Sequence, residues 1–288
     1  MTKKDFNALL ALPIVLLIGV GIALAGSQGG SKIFGVPLFS ISVSLAFLIQ
    51  LLAFIPAYLL QTEKFFDLTG SITYILVTIF TVIFSPKIDG RSILLFIIVV
   101  IWAIRLGSFL FRRIHQAGKD ARFDGIKPSF NRFLLTWTLQ GLWVTITSAP
   151  ALTTITSSTR RELGLVALIG FLIWTFGFVI EIVADTQKSR FRSDVNNKGK
   201  FIQTGLWARS RHPNYFGEIV LWIGVAVIAL PILRGWQLVT LVSPVFVALL
   251  LTRISGVPML EKRADEKWGG QEEYEAYKKH TPVLIPRL

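Results

Sequence analysis

The sequence predicts an all-α, polytopic transmembrane helical bundle, and three observations carry that reading. Hydrophobic residues fill 52% of the 288 positions and charged residues only 16%, too apolar a balance for a water-soluble domain of this length. Apolar runs of roughly 16 to 23 residues recur along the whole chain, close to the ~20 residues with which a helix crosses a bilayer. The basic residues gather in alternate connections between those runs.

The first run, about 8–25, follows the basic start MTKKDFN and is weighed against a secretory signal peptide. It is longer than a usual signal core and meets no small-x-small cleavage site before polar sequence, so it reads as a retained span. Further spans follow at about 39–60, 68–85, 92–111, 134–156, 163–184, 215–232 and 237–253. That makes eight, or seven if 8–25 or the turn at 231–236 is read otherwise. With no internal repeat, low-complexity tract or second soluble domain, residues 1–288 read as one integral membrane domain.

The net charge of +13 resembles a nucleic-acid signature only until the basic residues are placed. Of the 30 Lys and Arg, 23 lie at the N-terminus, in 61–67, 112–133 and 185–214, and in the tail from 253. The positive-inside rule then puts both termini and the three long polar regions in the cytoplasm. Anionic lipid headgroups account for much of this charge, and no nucleic-acid partner is required. Long polar loops on one side fit a cap over a cytoplasm-facing cavity, or plainly solvated loops.

Cysteine is absent, which excludes disulfides and thiolate metal ligands, and His115, His212 and His280 are too scattered for a zinc site. No G-x-G-x-x-G follows a strand and no Walker A motif occurs. Any phosphate recognition therefore falls to side chains and helix ends.

Ionisable residues within spans are costly and mark cavities or partners. Arg105 lies deep in "IIVVIWAIRLGSFLF" and shares a helix face with Arg112 at i+7. Glu181 and Asp185 are spaced i,i+4, as are Asn214 and Glu218 at the head of the next span. Asp67, Ser71 and Tyr74 form a polar stripe at i, i+4, i+7. A carboxyl group that orients a phenol is a workable proton-donating pair, and a helix cap followed by an interfacial tyrosine fits the same spacing. The densest polar cluster is "ARSRHPNYFGEIVLWIG" at 208–224, where Arg209, Arg211, His212, Asn214 and Tyr215 crowd toward Glu218. With Arg190, Arg192 and Arg253 it offers many forked donors suited to phosphate oxygens.

That cluster, with "DTQKSRFR" upstream and the tail "EEYEAYKKHTPVLIPRL", resembles the steroid 5-alpha-reductase family, in its bacterial branch described as DUF1295. The wider superfamily includes sterol reductases and isoprenylcysteine carboxyl methyltransferases. The likeness is strongest over 163–288, which the resemblance marks as a cofactor-binding C-terminal half. It implies a bacterial inner-membrane enzyme that uses NADPH to reduce a carbon–carbon double bond conjugated to a ketone in a lipophilic, steroid-like substrate. By position it implies cofactor contacts for Asp185, Arg192, Asn214 and Glu218, with Arg105 and Arg253 as further polar positions. Arg209, Arg211, His212, Tyr215 and Tyr277 join them through the matching motifs. Asp67 falls near the family's catalytic glutamate. The tyrosine expected to hold the substrate ketone is replaced by Trp102, whose indole donates one hydrogen bond but is no acid. Tyr74 becomes the candidate acid, with Glu63 or Asp67 next in line. The family uses seven spans, so the helix at 8–25 is an addition.

The main rival is a membrane methyltransferase that holds S-adenosylmethionine with the same Arg-His-Pro and Glu elements. S-adenosylmethionine carries no phosphate, whereas NADPH carries a pyrophosphate and a 2′-phosphate, so the surplus of arginines favours NADPH. A transporter or lipid-binding scaffold is the non-enzymatic alternative. It calls for polar residues through to the outer halves of the spans, which show few.

Overall fold

The computed structural model describes residues 2–287, the side chains of 116, 117 and 121 apart. The chain divides into two compact units, Met1–Gly164 with Ala229–Ser243, and Leu165–Ile228 with Pro244–Leu288.

The first unit holds five long helices: α1 (Lys3–Gly26), α2 (Leu38–Leu59), α3 (Phe66–Phe84), α4 (Gly90–Ala117) and α5 (Phe130–Thr156). A capping box starts α1, with Thr2 accepting the Asp5 N–H and Asp5 accepting the Thr2 N–H. The Asp5 carboxylate also receives the Ser129 hydroxyl at 2.6 Å, which ties the start of α1 to the N-cap of α5. Between α1 and α2 a small hairpin pairs β1 (Lys32–Ile33) with β2 (Val36–Pro37) through a Phe34-Gly35 turn in which both residues have positive φ.

Helix α5 packs against α1, α2 and α3 and is buried continuously from Val144 to Thr156. Several of its hydroxyls bond to its own backbone, among them Ser148 to the Val144 carbonyl at 2.6 Å and Thr154 to the Pro150 carbonyl at 2.8 Å. That pairing lets a threonine-rich helix sit inside an apolar bundle.

The second unit consists of α6 (Leu165–Ser193), α7 (Pro213–Ala229), α8 (Ser243–Leu249), a π turn at Leu250–Ile254, α9 (Val257–Trp268) and α10 (Glu272–His280). Its organising contact is backbone on backbone. A Cβ added to Gly177 of α6 would stand 2.5 Å from the Gly217 carbonyl oxygen of α7, and one on Gly217 would stand 2.6 Å from the Gly177 oxygen. Only glycine permits this approach, and close approach is how apolar helices gain dispersion energy where lipid removes the hydrophobic drive.

Among the described residues, six stretches are long and apolar enough to cross a membrane: α1, α2, α3, most of α4, α6, and Gly235–Trp268. The chain is a polytopic helical membrane protein. Two segments read as spans from sequence fall outside that set. One is α5, with its threonines and serines, and the other is α7, which has 17 residues. The polar regions are also more helical than loops. Helix α6 runs on past 184 because nothing between Asp185 and Ser193 breaks it, so Asp185, Arg190 and Arg192 project from a helix whose basic end suits the macrodipole.

Candidate functional site

In the second unit the Arg-Ser-Arg-His-Pro segment is fixed by the C-terminal tail. The Arg211 N–H donates to the Pro282 carbonyl at 2.9 Å, the Arg287 N–H to the Arg209 carbonyl at 2.9 Å, and the Ser210 hydroxyl to the Leu284 carbonyl at 2.8 Å. The two motifs quoted together from sequence are therefore laced together by backbone. Tyr277 adds a bond from its hydroxyl to the Trp207 carbonyl at 2.7 Å, and the Trp207 indole donates to the Ala184 carbonyl of α6 at 3.0 Å.

Glu261 of α9 clamps this segment. Its Oε1 lies 2.7 Å from His212 Nε2, and its Oε2 lies 2.7 Å from Arg211 Nη1. The arginine contact is one of charge, since that N–H is not aligned as a hydrogen bond. His212 is buried and stacks on Tyr215 with ring centroids 5.7 Å apart, and the Tyr215 ring lies over Gly256 at the head of α9. Burial pushes the His212 pKa below its ordinary value, with Lys188 and Arg211 acting in the same sense and the Glu261 carboxylate only partly opposing. The imidazole is thus neutral at pH 7, and its Nε2–H faces the carboxylate.

These groups line a cavity of about 540 Å³, within the roughly 300–1,000 Å³ range of small-molecule sites. Seven Lys and Arg side chains border it: Lys188, Arg192, Lys198, Lys200, Arg211, Arg263 and Lys267. Glu261 is the acid among the lining residues, and its two oxygens already face His212 and Arg211. Aromatic rings supply the remaining wall, with Trp268 in contact with Phe201 and Tyr274, and the Lys188 ammonium 4.0 Å above the Trp207 ring. Burial raises the Tyr274 and Tyr277 phenols, so both stay protonated. Such a cavity attracts anions and offers flat faces to a planar ring.

Of the residues singled out from sequence, Arg192, Arg211, His212 and Tyr277 border this cavity. Asp185, Glu181 and Glu218 are 5%, 2% and 6% exposed on α6 and α7, in the layer set by the Gly177–Gly217 contact. Asn214 and Tyr215 are half-buried in the first turn of α7, while Arg209 and Arg253 are exposed. Sequence reasoning missed Glu261, Lys188, Lys200, Trp268 and Tyr274. Glu261 sits in the charged run EKRADEK, which reads as a solvated face, and no local spacing connects it to His212.

In the first unit Tyr74 is buried and meets Trp102 of α4 edge-to-face at 5.1 Å. Arg105, one turn on, lies 5.3 Å from the Phe109 ring. Asp67 forms ion pairs with Arg113 at 3.4 Å and Arg122 at 3.8 Å. Glu63 is buried, pairs with Lys127 and accepts the Asp120 N–H at 2.9 Å. Both carboxylates thus anchor the segment that follows α4.

The fold and the cavity define a class: a polytopic helical membrane protein with a cationic, aromatic-walled pocket in its C-terminal unit. Residues 53–281 match the family model described as "Protein of unknown function (DUF1295)", and the chain belongs to that family. Among curated proteins it is similar to 3-oxo-5-alpha-steroid 4-dehydrogenase 1 of Rattus norvegicus, 32% identical over 41% of this chain and 40% of the relative. The Mus musculus protein of the same name is 33% identical over 42% of each chain. "Uncharacterized protein C594.04c" of Schizosaccharomyces pombe is 24% identical over 69% of this chain and 64% of that protein. The matches span about two fifths of the two dehydrogenases' length. No solved structure matches.

Proposed function

We propose that this protein is an NADPH-dependent membrane reductase acting on the conjugated carbon–carbon double bond of a lipophilic, steroid-like ketone. The observation that carries the reading is the cavity beside His212. Its seven cations suit a pyrophosphate with an additional phosphate, and its aromatic wall suits an adenine. S-adenosylmethionine, itself a cation without phosphate, would be repelled there. The names of the rat and mouse relatives agree with this reaction class.

In this reading Arg192, Lys200, Arg211, Arg263 and Lys188 hold the phosphates, and Trp268 and Tyr274 flank the ring. The bound cofactor supplies a hydride. The protein must then stabilise charge that develops on the substrate oxygen, and this reading assigns that role to Tyr74, a buried phenol against the Trp102 indole. Glu63 and Asp67, engaged by Lys127, Arg113 and Arg122, serve as anchors of the polar segment before α5. The same reading puts both termini and the basic cavity on the cytoplasmic side of a bacterial cell membrane.

The test is purified protein in detergent or nanodiscs, supplied with NADPH and a panel of lipophilic enones. NADPH consumption matched by a saturated ketone product supports the proposal. A methylated product formed from S-adenosylmethionine would replace it with the methyltransferase.

A further inference from the structure

We infer that Nδ1 of His212 accepts a hydrogen bond from the exocyclic amine of the nucleotide's adenine, so that this pocket selects adenine over rings that carry a carbonyl at that position. The inference rests on the nucleotide reading above and goes beyond it to a particular atom.

His212 lines the cavity and is 4% exposed. Its Nε2 lies 2.7 Å from a carboxylate oxygen, and a carboxylate only accepts, so Nε2 carries the hydrogen. The charged groups around the ring are Glu261 on one side and Lys188 and Arg211 on others, and burial acts with the two cations against a second proton. Nδ1 is therefore a lone-pair acceptor. It has no hydrogen-bond partner among the described residues. Buried acceptors are costly to leave unsatisfied, so such an atom marks where a donor is expected.

The chemistry of that donor is narrow. Phosphate oxygens are acceptors and gain nothing from Nδ1; they belong to the Lys and Arg side chains, which only donate. An acceptor nitrogen amid cations reads the one kind of group they cannot, a ligand N–H or O–H. The same cavity offers flat faces to a planar ring, with Phe201, Trp268 and Tyr274 clustered in its lining. A planar ring, a donor on its edge and phosphates nearby together describe an adenine nucleotide. Hypoxanthine and guanine place an oxygen where adenine has the amine, and that oxygen would face the Nδ1 lone pair.

The experiment compares binding of NADPH and its hypoxanthine analogue to the full-length wild-type protein, read by calorimetry or by quenching of tryptophan fluorescence. NADPH should bind about tenfold more tightly, the scale of one buried hydrogen bond gained against one acceptor opposed by another. His212→Phe keeps a ring to stack on Tyr215 and removes the nitrogen, so it should bind both nucleotides alike at the weaker affinity. Equal binding by the wild-type protein, or a tenfold preference retained in His212→Phe, overturns the inference while leaving the nucleotide site standing. Failure of folded wild-type protein to bind either nucleotide overturns the nucleotide reading itself. The wild-type comparison needs no variant, so a folding defect in His212→Phe leaves the test intact.

Discussion

His212 and Glu261, 49 positions apart in the chain, meet at 2.7 Å between Nε2 and Oε1, and the other Glu261 oxygen lies 2.7 Å from Arg211. One carboxylate thus joins α9 to the segment before α7 and fixes two side chains at the rim of the same cavity. It holds the imidazole in one tautomer and keeps the guanidinium partly neutralised in a strongly basic wall.

Glu261→Ala should leave the His212 Nε2–H and the Arg211 charge without their partner, and NADPH affinity should fall by roughly tenfold or more. Glu261→Gln, which retains an acceptor, should lose less. Isothermal titration on the two variants checks the order, and equal, wild-type affinity in both would reduce Glu261 to a surface charge.

The Gly177–Gly217 contact predicts a packing defect. Gly177→Leu would force a Cβ to within 2.5 Å of a backbone oxygen that has no rotamer to change, costing on the order of 1–3 kcal/mol or more. Gly21→Leu, where a Cβ meets nothing within 4 Å, is the matched control. Thermal unfolding in detergent should show a clear drop for the first and little change for the second.

Acid should loosen the segment that follows α4. Burial works to raise the Glu63 carboxyl, but the Lys127 ammonium and the Asp120 N–H outweigh it and hold the pKa below the ordinary 4.5. Burial likewise opposes, and the Arg122 guanidinium overcomes, in holding Asp120 below 3.8. Because both folded values lie below the unfolded ones, the unfolded chain takes up protons first on acidification. The stabilisation is complete above the ordinary carboxylate range and is lost as pH falls through the depressed values. Thermal midpoints measured from pH 7 downward should decline below about 4.5, the ordinary glutamate value, and Glu63→Gln should start lower and decline less steeply.

Tyr74→Phe should leave NADPH binding intact and lower turnover by roughly 100-fold, the usual scale for a lost proton donor. Near-normal turnover on an accepted enone would move the role to Glu63, Asp67 or a bound water. The Asp67 pairs with Arg113 and Arg122 weigh against that carboxylate as Tyr74's partner and for it as an anchor.

Much of this architecture was legible because bilayers impose strict rules. Helices α1 to α4 and α6 announce themselves as apolar runs, and the i,i+4 pair Glu181 and Asp185 does face inward on α6. Helix α5 was legible as a helix, but its threonines obscure how deeply it is buried, since each hydroxyl that bonds to its own backbone removes a polar penalty that hydropathy still counts. The site was half visible. Arg211, His212 and Tyr277 stand in recognisable motifs, whereas Glu261 and Trp268 reach the cavity only through the packing of α9 beside the Arg-His-Pro segment, and Lys188 joins them from the far end of α6. Contacts across 49 residues leave no periodicity to read.

The central claim, that the C-terminal unit holds a phosphate-rich dinucleotide, is tested most directly by equilibrium binding of NADPH, NADH and S-adenosylmethionine to the purified full-length protein. The extra phosphate should bring at least one further charge-assisted contact, so NADPH should bind roughly tenfold or more tightly than NADH, with S-adenosylmethionine weaker than either. Equal affinity for NADPH and NADH, or tightest binding of S-adenosylmethionine, would contradict the account.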